Sequence, residues 1–226
     1  MSVNSAMTAI ADAIRAKTGG TEPLTLAQMP SAIASIKGGG EAPEYTRVGF
    51  IQFTGDQSID TGIVPNQDTK IRVAFTRESD SSVYMYGVAS SGNTASVTAY
   101  VGSSGSWRFG SKSISRNLSM NDEVIHTAIV SSAGITHAGG TNTYSSQGDF
   151  EAIGSLLLGA CRNADGSIGT AQFVGKVYVF EMWQGDEKVL DLVPCRSADG
   201  EYGFFDEVSG AFIPSITDTP FDGAAL

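Results

Sequence analysis

The chain has 226 residues, 27 of them glycine, and its 24 acidic and 14 basic side chains leave a formal net charge of −10. Residues 1–40 hold Arg15, Lys17 and Lys37 against Asp12 and Glu22, so the rest of the sequence carries 11 basic and 22 acidic residues. A region this acidic repels polyphosphate, which argues against nucleic acid as a partner, and no apolar run is long enough to cross a bilayer, so no membrane insertion is expected.

Residues 4–17 carry the strongest helical pattern. Asn4 or Ser5 can cap it, Met7, Ile10, Ala11 and Ile14 fall on one apolar stripe, and Gly19-Gly20 stop it. No charged leader with an apolar stretch is visible, so a reducing cytoplasm is the expected site of folding. A second helix is expected behind the capping pair Thr25 and Gln28, with Pro30 in its first turn and Met29, Ile33 and Ile36 facing inward. Helices this short cannot bury their stripes alone. Residues 1–37 are therefore expected to form a helical hairpin that anchors or oligomerises the chain through Met7, Ile10, Ile14, Met29, Ile33 and Ile36; packing against the rest of the same chain is the alternative. Residues 38–44, rich in glycine with Pro43, read as a linker.

From Tyr45 onward strands and turns alternate to the end. Ile71, Val73 and Phe75 alternate with Lys70, Arg72 and Ala74, which predicts a strand with one buried and one wet face. Tyr84 and Tyr86 alternate with Val83 and Met85 and so are expected on one face together. Val97, Ala99 and Val101 alternate with Ser96, Thr98 and Tyr100, and Trp107 and Phe109 share a face opposite Arg108. Residues 124–130 are β-branched and expected near the centre of a sheet, while Leu156-Leu157-Leu158 is expected to be covered on both sides. Residues 175–210 are the most regular stretch. Tyr178, Phe180 and Met182 alternate with Val177, Val179, Glu181 and Trp183, Gly185 turns the chain, and a shorter hairpin comes next between Asp199-Gly200 and Ser209-Gly210. No βαβ rhythm is present, so residues 45–226 read as a mainly β, antiparallel two-sheet sandwich.

Catalytic and metal patterns are missing. Glu181, Asp186 and Glu187 straddle a turn and do not present the paired carboxylates that glycoside hydrolysis needs. No Ser-His-Asp set and no phosphate loop can be assembled; His126 reads as a core or sheet-face residue and His137 as an exposed one. Cys161 and Cys195 read as buried thiols, with a bridge between them left open, and the two cysteines and two histidines lack zinc-ligand spacing. Cys161-Arg162-Asn163-Ala164-Asp165-Gly166 echoes Cys195-Arg196-Ser197-Ala198-Asp199-Gly200. Two similar Asp-Gly turns account for the echo better than two ion sites, because the alternating Asp/Asn ligands and distal Glu of a calcium loop are missing. No enzyme activity, metal or cofactor is expected.

Two resemblances add to this reading. Residues 45–64, with Ile59-Asp60-Thr61-Gly62 ahead of Pro65, and residues 175–213, with Val193-Pro194-Cys195-Arg196, resemble the opening and closing segments of laminin G-like, concanavalin A-like jelly-roll domains. Ile10-Ala11-Asp12-Ala13-Ile14-Arg15 and Leu24-Thr25-Leu26-Ala27-Gln28-Met29-Pro30 resemble helical segments at the front of phage minor tail proteins. Together they imply a tail-tip or tail-fibre protein of a phage virion, assembled in the bacterial cytoplasm. Its partners would be other tail proteins, copies of itself (a trimer being favoured) and a bacterial surface glycan. A purely structural virion role is the alternative. Sugar binding needs an aromatic face plus amides, carboxylates or guanidinium for the hydroxyls. The residues with that chemistry are Tyr84, Tyr86, Trp107, Arg108, Asn142, Tyr144 and Trp183, with Tyr144 expected to be the most exposed aromatic and Trp183 alternatively an oligomer contact.

Overall fold

The computed structural model describes residues 45–79, 81–102, 105–115, 124–137, 140–145 and 148–225, with 8, 10–12, 15 and 25 near the N-terminus. The chain divides into two compact units, Met1–Glu44 and Tyr45–Leu226. In the first unit Thr8, Ile10, Ala11, Asp12 and Arg15 are helical, and Arg15 pairs with Asp12 one turn away. Ala11 is buried, whereas Ile10 is 47% exposed. These are the α-helical residues among the described ones, where the sequence pattern predicts a hairpin of two helices. Met7, Ile14, Met29, Ile33, Ile36 and residues 38–44 lie outside the described residues; Thr25 is described and is not helical.

The second unit is built of sixteen described strands. In chain order they are β1 (Tyr45–Thr54), β2 (Ile59–Asp60), β3 (Thr69–Arg77), β4 (Val83–Val88), β5 (Ser96–Val101), β6 (Ser106–Gly110), β7 (Lys112–Ser115) and β8 (His126–Ser131). Next come β9 (Gly134–His137), β10 (Gly140–Thr143), β11 (Leu157–Leu158), β12 (Val174–Gln184), β13 (Glu187–Ser197), β14 (Tyr202–Asp206), β15 (Ala211–Ile213) and β16 (Asp222–Ala225). The larger sheet runs β10-β9-β8-β3-β12-β1-β13-β14-β15, with β16 on β1; the smaller runs β2-β11-β4-β5-β6-β7. Every pairing between named strands is antiparallel. One core joins the two: Ile51, Val73, Phe75, Phe180 and Met182 of the larger sheet and Met85, Tyr86, Val97, Ala99, Trp107 and Phe109 of the smaller belong to the same buried cluster. Tyr86 meets Phe180 across the two sheets at 5.8 Å.

The long hairpin β12–β13 organises the larger sheet. Near its turn the arms pair with each other, from Gln184↔Glu187 to Phe180↔Leu192. Farther down, Val174–Val177 pairs with Ile51–Thr54 of β1, and Cys195–Ser197 pairs with Tyr45–Arg47 at the other end of the same strand. A single strand can be antiparallel to both arms of a hairpin only if the arms bend apart at its base. β1 therefore crosses beneath the hairpin as the bar of a T.

Bulges shift the faces that strict alternation would give. Opposite β3, Val177 and Val179 of β12 face consecutive residues, Phe75 and Ala74, which makes Tyr178 the extra residue. Hence Val177 joins Phe180 and Met182 in the core, while Tyr178 stays half-buried outside, contrary to the period-two reading. Opposite β12, Leu190 and Lys188 face Met182 and Trp183, so Val189 is extra and Lys188 turns to the outer face. The β-branched strand near position 124 begins only at His126 and lies third from the sheet edge; Val124 and Ile125 are 56% and 54% exposed. His137, expected to be exposed, is half-buried in β9.

Leu156, Leu157 and Leu158 are fully buried, as their unbroken apolarity predicts. Cys161 and Cys195 are free and buried. Burial pushes their thiols up to about 12 and about 11 respectively. The sequence echo is a repeated turn. Asn163 N–H donates to Ser167 O and Gly166 N–H to Asn163 O; Ser197 N–H donates to Glu201 O and Gly200 N–H to Ser197 O. Gly166 and Gly200 both take the left-handed conformation, φ 85° and 90°, that closes such a turn without strain on a Cβ.

Candidate functional site

The seven residues with sugar-binding chemistry are scattered by the fold. Tyr84 and Tyr86 do not share a face: Tyr84 pairs with Tyr100 but Tyr86 pairs with Ala99, so Met85 is a bulge. Tyr86 is fully buried, as is Trp107, and the small Ala99 between them in register lets the rings meet edge to face at 6.1 Å. Both are core residues and are removed from the candidate surface. Tyr144 is half-buried rather than exposed; its ring lies on Phe109 at 6.3 Å and its hydroxyl donates to the Trp107 carbonyl at 3.2 Å. Burial raises its hydroxyl pKa, with Arg108 opposing. Asn142 is in β10, opposite Ile135 at the edge of the larger sheet, and not in a loop.

Trp183 is on the outer face of the larger sheet, where Lys70 and Lys188 flank it in register. Lys70 Nζ sits 4.2 Å and Lys188 Nζ 5.2 Å from the ring centroid, so the indole face is occupied by its own neighbours. Beside it runs a second cross-strand row, Arg72–Glu181–Asp191. Arg72 donates to Glu181 Oε2 at 2.8 Å, and Lys188 donates to Glu181 Oε1 at 2.7 Å and to Asp191 Oδ2 at 2.8 Å. Burial pushes the Glu181 carboxyl up, but the hydrogen bonds and charges of Lys188 and Arg72 outweigh it and hold it below its ordinary value. The bonds to Asp191 and Glu181 raise the Lys188 ammonium.

The outer face of the smaller sheet is different. Tyr84 and Tyr100, cross-strand neighbours, hold their half-exposed rings 4.7 Å apart. Arg108 lies opposite Thr98 and Ser113, diagonal to Tyr100, with Ser106 and Ser113 bonded to each other at 3.0 Å beside it. Diagonal neighbours in a sheet are within reach of long side chains. Arg47, Arg72, Arg77, Arg162 and Arg196 are each engaged by Glu207, Glu181, the Ser81 carbonyl, Asp60 and the Gly200 carbonyl. Among the described arginines Arg108 alone makes no hydrogen bond or ion pair with described residues. Burial, then Cys161 and Tyr100, raise the Tyr84 hydroxyl while Arg108 pulls it down; it stays a neutral donor and acceptor at neutral pH. The sequence pattern names Tyr84 and Arg108 as candidates but not Tyr100. The register is the missing signal: alternation put Tyr100 opposite Val97, Ala99 and Val101, but not beside Tyr84.

Among the described residues no group of three or more His, Cys, Asp or Glu side chains could hold a metal ion. No family model and no curated protein matches the chain. Solved structures with a similar course of the chain include a heptameric SAP-like pentraxin from Limulus polyphemus, at 14% identity and TM-score 0.46 over 61% of this chain and 76% of that one. They also include domains LG4-5 of the mouse laminin alpha1 chain, at 14% identity and TM-score 0.44, over 74% of this chain and 49% of that one.

Proposed function

We propose that the β domain recognises a bacterial surface glycan through the outer face of its smaller sheet, with Tyr84 and Tyr100 as the apolar platform and Arg108 as the hydroxyl- or carboxylate-binding group. The observation that carries this is the unengaged Arg108 guanidinium beside two half-exposed tyrosine rings. A sugar presents a C–H face that packs on an aromatic ring and hydroxyls that accept from guanidinium. The setting, a tail-tip or tail-fibre protein of a phage virion with a jelly-roll domain, rests on the resemblance of the two N-terminal segments and of both ends of the β domain; the N-terminal helical hairpin that trimerises rests on the apolar pattern of residues 4–36. Of that N-terminal stripe, Ile10 is exposed and Ala11 is buried.

A glycan array with the intact protein tests the ligand. Binding should be lost by roughly ten- to hundred-fold in Arg108→Ala, the worth of about 1.5–3 kcal/mol for a charged hydrogen bond, and comparably in Tyr100→Ala. Absence of binding to every polysaccharide, the host cell wall included, supports the structural virion role instead. Mass measurement of the intact chain, expected to be a trimer, against the fragment 44–226, expected to be a monomer, tests the N-terminal segment.

A further inference from the structure

The T-junction beneath the β12–β13 hairpin leaves an opening. Pairing of β1 to β13 stops at Arg47 and its pairing to β12 begins at Ile51, while the hairpin arms part after Phe180 and Leu192. Val48 and Gly49, Tyr178 and Val179, and Val193 and Pro194 thus face one another around a cleft of about 400 Å³. Small-molecule sites occupy about 300–1,000 Å³, so this one is sized for a single small ring or two. Arg47 and Glu207 pair at its rim, Glu207 N–H donates to the Asp191 carbonyl beside it, and Arg72, Glu181 and Asp191 continue the polar lining.

The polar groups of Arg72, Glu181 and Asp191 are neutralised but not saturated. Arg72 spends only Nη1 on Glu181 and Asp191 only Oδ2 on Lys188, so further guanidinium donors and Asp191 Oδ1 make no bond with described residues. The charged residues of the cleft and Lys188 sum to zero: Arg47, Arg72 and Lys188 against Glu181, Asp191 and Glu207. A charged ligand would have to compete with existing ion pairs, whereas a neutral ligand can add to them. Donors and acceptors on one wall, with the Tyr178 ring nearby, require a ligand that offers both in close alternation. Vicinal hydroxyls do so. We propose that this cleft is a second binding site, separate from the Tyr84–Arg108 surface, for one unit of a neutral polyhydroxylated ligand such as a hexose.

The test is a titration of the ¹⁵N-labelled full chain with D-glucose, D-galactose, D-mannose and N-acetyl-D-glucosamine at millimolar concentrations, monitored by amide shifts. At least one sugar should shift Gly49, Val179 and Val193 saturably. Asp191→Ala should weaken that response roughly tenfold, and Val179→Trp, which plugs the cleft without touching its charges, should abolish it. Glu187→Ala, at the hairpin turn, should leave it unchanged. Thermal unfolding of each variant checks folding, and Val179→Trp decides if Asp191→Ala does not fold. No cleft shift with any of the four sugars, an undiminished shift in Val179→Trp, or a response to zwitterionic glycine in place of the sugars overturns the proposal. Shifts confined to Tyr84, Tyr100 and Arg108 overturn it too, while leaving the other surface standing.

Discussion

The outer faces of the two sheets use charge in opposite ways. On the larger sheet Glu181, 8% exposed, is held between Arg72 and Lys188, Lys188 also holds Asp191, and Lys176 pairs with Glu78. A carboxylate that deep must be compensated, so the cations around it serve the fold. On the smaller sheet Arg108 stands among Thr98, Ser106 and Ser113 with no ion pair to a described residue. Removing a charge from the first face should cost stability, and from the second it should cost only binding.

The largest expected effect lies under the smaller sheet. Trp107→Ala removes a fully buried ring that packs on Tyr86, and should cost about 3–5 kcal/mol in urea unfolding. Trp183→Ala, on the larger sheet's outer face, should cost about 1 kcal/mol, the order of two exposed cation–π contacts. Equal losses would mean that the two tryptophans are not core and surface as the structure has them. Next in size is Glu181→Gln. It leaves Arg72 and Lys188 facing a neutral amide, and because both cations are partly exposed the loss should be about 2 kcal/mol rather than that of a fully buried pair.

The same carboxylate sets a pH dependence. Its folded pKa lies below the unfolded one, so its contribution is present above the unfolded value, roughly 4.3, and is lost as pH falls through the folded value. Lys188 is raised, so its contribution is present below roughly 10.4 and is lost as pH rises through the higher folded value. Melting temperature against pH should therefore fall on the acid side less steeply in Glu181→Gln than in the parent chain. Parallel acid limbs would place the acid sensitivity in other carboxylates.

The range of each signal decided how much of the fold was legible in the sequence. Alternation along single strands is local, and it placed Trp107 and Phe109 opposite Arg108 and Val97, Ala99 and Val101 on one face. Bulges are decided by the partner strand. Met85, Tyr178 and Val189 look like ordinary members of their runs, yet each shifts the face of its neighbours along the strand, and that shift buries Tyr86 and brings Lys188 beside Glu181. The candidate site was the least legible part, because it depends on which strands are neighbours: Tyr84 and Tyr100 are sixteen residues apart and meet only through the β4–β5 register. Tyr144 misled for a similar reason. Its segment is polar, but its ring reaches back onto Phe109.

The smallest expected effect on stability is the one that most sharpens the contrast. Arg108 is half-exposed, makes no hydrogen bond or ion pair with described residues, and alternates with the core residues Trp107 and Phe109 without entering the core itself. Truncation at such a position is worth within about 0.5 kcal/mol. Arg108→Ala should thus unfold at the same urea midpoint as the parent while losing glycan binding, whereas Glu181→Gln should shift the midpoint down and leave binding at the smaller sheet intact. A clear destabilisation by Arg108→Ala would mean that its guanidinium holds the fold, and the division of labour between the two faces would fail with it.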